Sequence, residues 1–124
     1  VAAPPARRRG RRRAAAALLP LFVLAVAGTH DWLARARARW RALDWLETEL
    51  EVGARRIDGG FEYHGLRTYR SDFAPPPERS WWWVHDDEYL VALGPVPGYA
   101  VVRTFPAARW LPPGEDALLV LRRE

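Results

Sequence analysis

Two short stretches gather side chains able to do chemistry. In "HDDE", residues 85 to 88, an imidazole and three carboxylates supply the ligand types of a metal site. In "RIDGGFEYHG", Asp58, Glu62 and His64 surround paired glycines, a set suited to acid/base work because double glycine lets backbone approach a ligand closely. Just upstream of the first stretch, Trp81, Trp82 and Trp83 are rings of the kind that stack on sugars. The candidate ligand-binding residues are therefore Glu62, His64, Trp82 and Asp87. Each stretch also has a plainer reading. Hairpin tips are commonly acidic, and with His30 and His64 the only other histidines, no second cluster has ligand spacing, so no metal residue is assigned. The glycine pair reads as a turn. Strands pack large aromatics inward, each ring burying about 150–250 Å², so at most one of the three tryptophans faces a ligand.

These residues must be positioned by a small set of elements. From Asp31 to Val52, apolar residues at Leu33, Ala36, Trp40, Leu43, Leu46 and Leu50 recur at helical spacing. Asp31 is placed to cap the start and Gly53 to take a left-handed stop. Along this helix Arg35, Arg37, Arg39 and Arg41 precede Glu47, Glu49 and Glu51, the reverse of what the helix dipole prefers; arginines close to a membrane meet lipid headgroups. Gly59 and Gly60 then break the helix before a short strand at Phe61 to Tyr63, and "YRSDFAPPPERS" is a proline-rich loop. Strand patterns follow at Ser80 to His85, Tyr89 to Leu93, Tyr99 to Phe105 and Ala117 to Leu121. If Asp86 and Asp87 form a two-residue turn, Trp83 pairs with Leu90 and Trp81 with Ala92, and both faces of that hairpin are apolar. One face then packs on the helix stripe, placing Trp81 and Trp83 against Leu33, Trp40 and Leu43, and the other meets a further partner. The fold class is α+β: an N-terminal transmembrane helix and an amphipathic helix, then a small, mostly antiparallel sheet of four or five strands.

The chain has 124 residues and no cysteine, which bounds it to one core and excludes disulfides and thiolate metal sites. Its 19 basic residues are all Arg, and six of them lie in "RRRGRRR", residues 7 to 13; the remainder holds 13 Arg against 15 acids, a net of −2. A basic tail of this kind can bind nucleic acid. Here it runs directly into "AAAALLPLFVLAVAG", residues 14 to 28, which carries no charge, so the order points to a membrane and nucleic acid is not assigned as a partner. By the positive-inside rule residues 1–13 form a basic cytoplasmic loop, 14–33 a transmembrane helix and 34–124 an extracytoplasmic α+β domain. Fifteen residues of helix reach only about 22 Å of a hydrocarbon core about 30 Å thick, so the span draws in Thr29 to Leu33, with Trp32 at the interface. A secretory signal peptide is the competing reading, since "AVA" before Gly28 is an A-x-A cleavage site. The opening "VAAPPA" reads as a loop of a longer chain, which favours the span.

No nucleophile elbow, phosphate loop, cofactor fingerprint or zinc motif occurs in the sequence, and nothing in it makes a free-standing enzyme. Taken in order, the basic loop and apolar run, "THDWLARARARWRALDWL", "RIDGGFEYHG", "SWWWVHDDEYLVALGPVPGYAVVRTFP" and the terminal "LVLRR" resemble the C-terminal end of bacterial polytopic membrane glycosyltransferases, the mannosyltransferase and aminoarabinose-transferase-like family that uses polyprenyl-phosphate sugars. The resemblance covers most of residues 14 to 124. It implies that the chain holds the last membrane helix and an extracytoplasmic domain of the cytoplasmic membrane enzyme. The family's catalytic carboxylate lies in a first extracytoplasmic loop with no counterpart here, so no catalytic residue carries over. The partners implied are membrane lipid, the rest of the polytopic chain and a glycan. The alternative, from a different class, is a small secreted or membrane-anchored domain that binds a glycan or a protein on the tryptophan stretch.

Overall fold

The computed structural model describes residues 5–74 and 83–124, with side chains from residue 16 onward, and it is α+β. Helix α1 (Pro5–Thr48) is unbroken for 44 residues, about 66 Å at 1.5 Å per residue. The amphipathic segment is thus the second half of one long helix, and Asp31 is not an N-cap. Between the apolar run and the Arg/Ala run only Gly28 weakens the helix, by about 1 kcal/mol relative to Ala, and the Thr29 hydroxyl donates back to the Ala25 carbonyl at 2.8 Å. A single glycine without a following proline does not stop the helix here. The C-terminal stop also differs from the expectation. Gly53 is extended (φ −64°, ψ 139°), and Glu51 takes the left-handed conformation, at φ 52°.

The buried side of α1 is one residue out of step with the leucine and tryptophan stripe. Ala34, Ala38 and Ala42 are buried together with Leu43 and Leu46, whereas Leu33, Trp40 and Leu50 are exposed. In "ARARARWRA" the alanines at i, i+4 and i+8 form a ridge of small side chains. A sheet approaching that ridge excludes anything larger. Ala34 and Ala38 meet Ala107 and Leu118 there, and Ala42, Leu43 and Leu46 join Val52, Ile57, Tyr63, Tyr89 and Val120 in the main core.

The sheet has four strands in the order β1-β2-β4-β3: β1 (Ile57–Asp58), β2 (Tyr89–Ala92), β3 (Tyr99–Arg109) and β4 (Gly114–Arg123). β1 runs parallel to β2, and the other pairings are antiparallel. The last two strands are longer than the Val/Leu alternation alone indicates, because each completes the ladder of the other from Tyr99↔Arg123 to Arg109↔Gly114. Two expected strands are corrected. Phe61 to Tyr63 begins a helix, α2 (Phe61–Arg67), after Gly60 at φ +87° redirects the chain. In the stretch 80–85, residues 80–82 lie outside the described residues; Trp83 occupies a turn at φ 61°, and Val84 and His85 are not in a strand. Leu90 consequently pairs with Asp58 and Leu121, not with Trp83. Both edges of β2 are occupied by strands from elsewhere in the chain, which leaves no edge for a hairpin across Asp86 and Asp87.

Candidate functional site

The paired glycines build the first site. Gly59 backs directly onto the core: a Cβ there would lie 2.6 Å from Leu43 Cδ2 and 2.7 Å from the Tyr63 ring. At Gly59 the close approach that double glycine permits is to Leu43 of α1 and Tyr63 of α2. Gly60, left-handed, then turns the chain into α2, and one turn later His64 comes back over Asp58. His64 Nε2 lies 3.2 Å from Asp58 Oδ1, and its Nδ1 lies 3.2 Å from Thr68 Oγ1. The Thr68 hydroxyl is also 3.1 Å from the Trp83 carbonyl, to which it donates. Asp58 Oδ1 accepts a second bond from Gly60 N–H at 3.2 Å. Burial pushes the Asp58 carboxyl up, but the His64 and Gly60 hydrogen bonds outweigh it and hold the group below the ordinary aspartate range. Facing a carboxylate, Nε2 carries a proton. Both ring nitrogens lie within hydrogen-bond distance of protein partners and only 2% of the residue is exposed, so His64 serves as a link between elements. The arrangement is a polar strut joining β1, α2 and the Trp83 turn.

Beside the strut lies a recess of about 390 Å³, walled by Phe61, Val84, Leu90 and Val91, with Asp58 and Arg39 also in its lining. An apolar wall with one carboxylate and one guanidinium suits a small polar ligand held by its hydroxyls. Of the four candidate residues, His64 borders this recess. Glu62 is exposed in the first turn of α2 and is not among its lining residues. Trp82 lies outside the described residues. Trp83 donates its indole N–H to the Arg70 carbonyl at 2.9 Å and packs against Tyr69 and Phe61, at ring separations of 4.9 and 5.8 Å. It sits on these rings and not on the α1 stripe.

Asp87 belongs to a different cluster. The acidic corner is matched by the arginines of the chain's end: Asp86 and Asp87 both pair with Arg123, and Glu88 pairs with Arg56 and Arg122. The Tyr99 hydroxyl donates to Asp87 Oδ2 at 2.9 Å. His85 faces away, edge-on to Phe73 at 4.8 Å, and burial, followed by the charges of Arg55 and Arg70, lowers its pKa. Among the described residues no group of His, Cys, Asp and Glu is arranged to hold a metal. "HDDE" is a charge clasp that closes β2 onto β4. The signal that could have revealed it is the complementary "LRRE" at residues 121 to 124.

Sequence reasoning missed a third cluster, around Asp31. This carboxylate is 6% exposed and accepts two backbone bonds from the β3–β4 turn, Trp110 N–H to Oδ1 at 2.7 Å and Leu111 N–H to Oδ2 at 3.0 Å. The Trp110 indole stacks on His30, with ring centroids 3.8 Å apart and 8° between planes. A second recess, of about 480 Å³, opens next to it between α1 and β3, lined by His30, Arg37, Trp40, Arg41 and Pro106 among others. Below this level α1 is bare. Leu18, Leu19, Leu21, Phe22, Val23, Leu24 and Val26 are all exposed. By length and composition α1 is able to cross a membrane, and only 11% of its apolar stretch is buried. Comparison with protein-family models, curated proteins and solved structures finds no match.

Proposed function

We propose that the chain is the membrane anchor and extracytoplasmic accessory domain of a membrane glycosyltransferase that transfers sugar from a polyprenyl-phosphate donor, with the catalytic residues outside residues 1–124. The observation that carries the anchor is the continuity of α1, whose large apolar side chains from Leu18 to Val26 are exposed and which packs into the domain from Asp31 onward. Lipid can cover such a surface at no cost, whereas water cannot. The transferase assignment rests on the resemblance of the sequence stretches alone. In this reading the domain sits over the membrane-embedded catalytic site, and the recess lined by Arg39 and Asp58 helps shape the acceptor entrance. The membrane is the bacterial cytoplasmic one, with the N-terminal arginines inside.

Reporter fusions test the anchor. A periplasm-active reporter after Glu124 should be active and a cytoplasm-active one silent; the reverse would remove the N-in topology. The "AVAGTH" stretch should remain intact in cells, and a mature N-terminus at Gly28 found by mass spectrometry would convert the anchor into a signal peptide. A photo-crosslinker at Phe61, beside the recess, should capture a polytopic membrane protein. Tight glycan binding by the detergent-solubilised chain without such a partner would instead favour the glycan-binding alternative, for which exposed Phe61 and Tyr69 beside Trp83 are the supporting observation.

A further inference from the structure

If α1 crosses the bilayer over residues 14–33, it leaves the hydrocarbon near Asp31, and the hydrogen bonds to Asp31 place the β3–β4 turn at that same depth. Four large side chains then lie exposed in one layer. Trp32 is 60% exposed and Leu33 40% on the helix, and Trp110 is 52% and Leu111 45% on the turn. Tryptophan is the residue most at home where headgroups meet acyl chains, its ring apolar and its N–H wet. The stacking of Trp110 on His30 and the two N–H bonds to Asp31 fix the turn to the helix, so neither can change depth without the other. A carboxylate so near hydrocarbon is costly unless it is satisfied, and the turn satisfies both of its oxygens.

We propose that the β3–β4 turn is a second membrane contact, seating Trp110 and Leu111 in the headgroup layer beside Trp32, so that the domain stands on the bilayer at two points instead of swinging about α1. This rests on the anchor reading above. The occupant of the surface is a bilayer with anionic headgroups. Arg35 and Arg109 are both tied to Asp116, whereas Arg37, exposed two turns above the layer, has no acidic partner among the described residues, and Arg41 beyond it bonds only the Pro106 carbonyl. Their charge is left for lipid phosphates, to which basic residues near the surface are attracted.

The chain has no cysteine, so single-cysteine variants Phe22→Cys, Leu111→Cys and Glu49→Cys can each carry an environment-sensitive fluorophore in vesicles of phosphatidylcholine and phosphatidylglycerol. Nitroxide lipids labelled near the headgroup should quench the Leu111 position several-fold more than the Glu49 position, which lies just past the end of α1, about 27 Å beyond Asp31. Mid-chain nitroxides should quench Phe22 most. Asp31→Ala should release the turn and abolish the quenching at Leu111 while leaving Phe22 quenched. If Phe22 is quenched and Leu111 behaves like Glu49, the second contact is overturned and the anchor stands; if Phe22 is not quenched, both fall. Equal quenching of Leu111 in pure phosphatidylcholine overturns the part assigned to Arg37 and Arg41.

Discussion

The two halves of α1 obey opposite rules although they share one helix. From Leu18 to Val26 the large apolar side chains are exposed, and nothing among the described residues covers them. From Asp31 to Leu46 the deepest side chains include Ala34, Ala38 and Ala42, while Leu33 and Trp40 remain exposed. A membrane selects for hydropathy and is indifferent to which face of the helix supplies it. A packed sheet selects for size, because close approach is repaid only where side chains fit. Hydropathy therefore locates the first half and misplaces the buried face of the second.

The largest contrast should come from truncating one leucine in the packed half. Leu46→Ala, at a fully buried position, should cost about 2–5 kcal/mol, read as a shift in urea unfolding monitored by tryptophan fluorescence. Phe22→Ala, a larger deletion in the bare half, should leave that curve unmoved. If both shift it alike, the lower half has a protein partner within the chain and the contrast is lost. Leu21→Arg should produce the mirror image. Membrane insertion should weaken by about 2.5–3.5 kcal/mol, measured as loss from the alkali-resistant membrane fraction, with the unfolding of the domain unchanged.

A smaller effect is expected opposite the packed half. Gly59→Ala would drive its Cβ into Leu43 and Tyr63, and overpacking of this kind costs about 1–3 kcal/mol. In a double variant with Leu43→Ala the combined cost should be less than the sum of the two single costs, since one of the two clashing side chains is gone and only Tyr63 remains. Full additivity would mean that Gly59 matters for its backbone conformation and not for the contact with α1.

What was legible in the sequence follows the same division. The apolar run, the strand alternation of "ALLVL" and the α+β class are local patterns, and they persist. Phe61 to Tyr63, β-prone after two glycines, reads locally as a strand; the helix signals are Glu62 in the first turn and Arg67 in the last. Trp83 has strand propensity, yet its φ of 61° is imposed by a turn that no propensity favours for tryptophan. Asp31 was invisible in its true role, because its partners are two backbone N–H groups about 80 residues further on, and backbone leaves no signature in a sequence. The ion pairs at Asp86 to Glu88 were legible only by matching them with arginines more than 30 residues away.

The smallest expected effect is on pH dependence, and it belongs wholly to the packed domain, since residues 16 to 29 carry no titratable side chain. His85 is held below its ordinary value by burial and by Arg55 and Arg70. The unfolded chain thus takes up that proton first, near pH 6.5, and stability should decline as pH falls from there toward the folded value. Asp58 is held below the ordinary aspartate range by His64 and Gly60 despite its burial. Its contribution is complete above about pH 4 and should be lost as pH drops through the lower folded value, giving a second and separate decline. His85→Gln should erase the first slope alone, and Asp58→Asn the second alone, in unfolding curves taken across the acid range. Phe22→Ala should erase neither. A second decline that persists in Asp58→Asn would show that the strut between β1 and α2 does not set acid stability, and would shift attention to the clasp of Asp86, Asp87 and Glu88 with Arg123, Arg56 and Arg122.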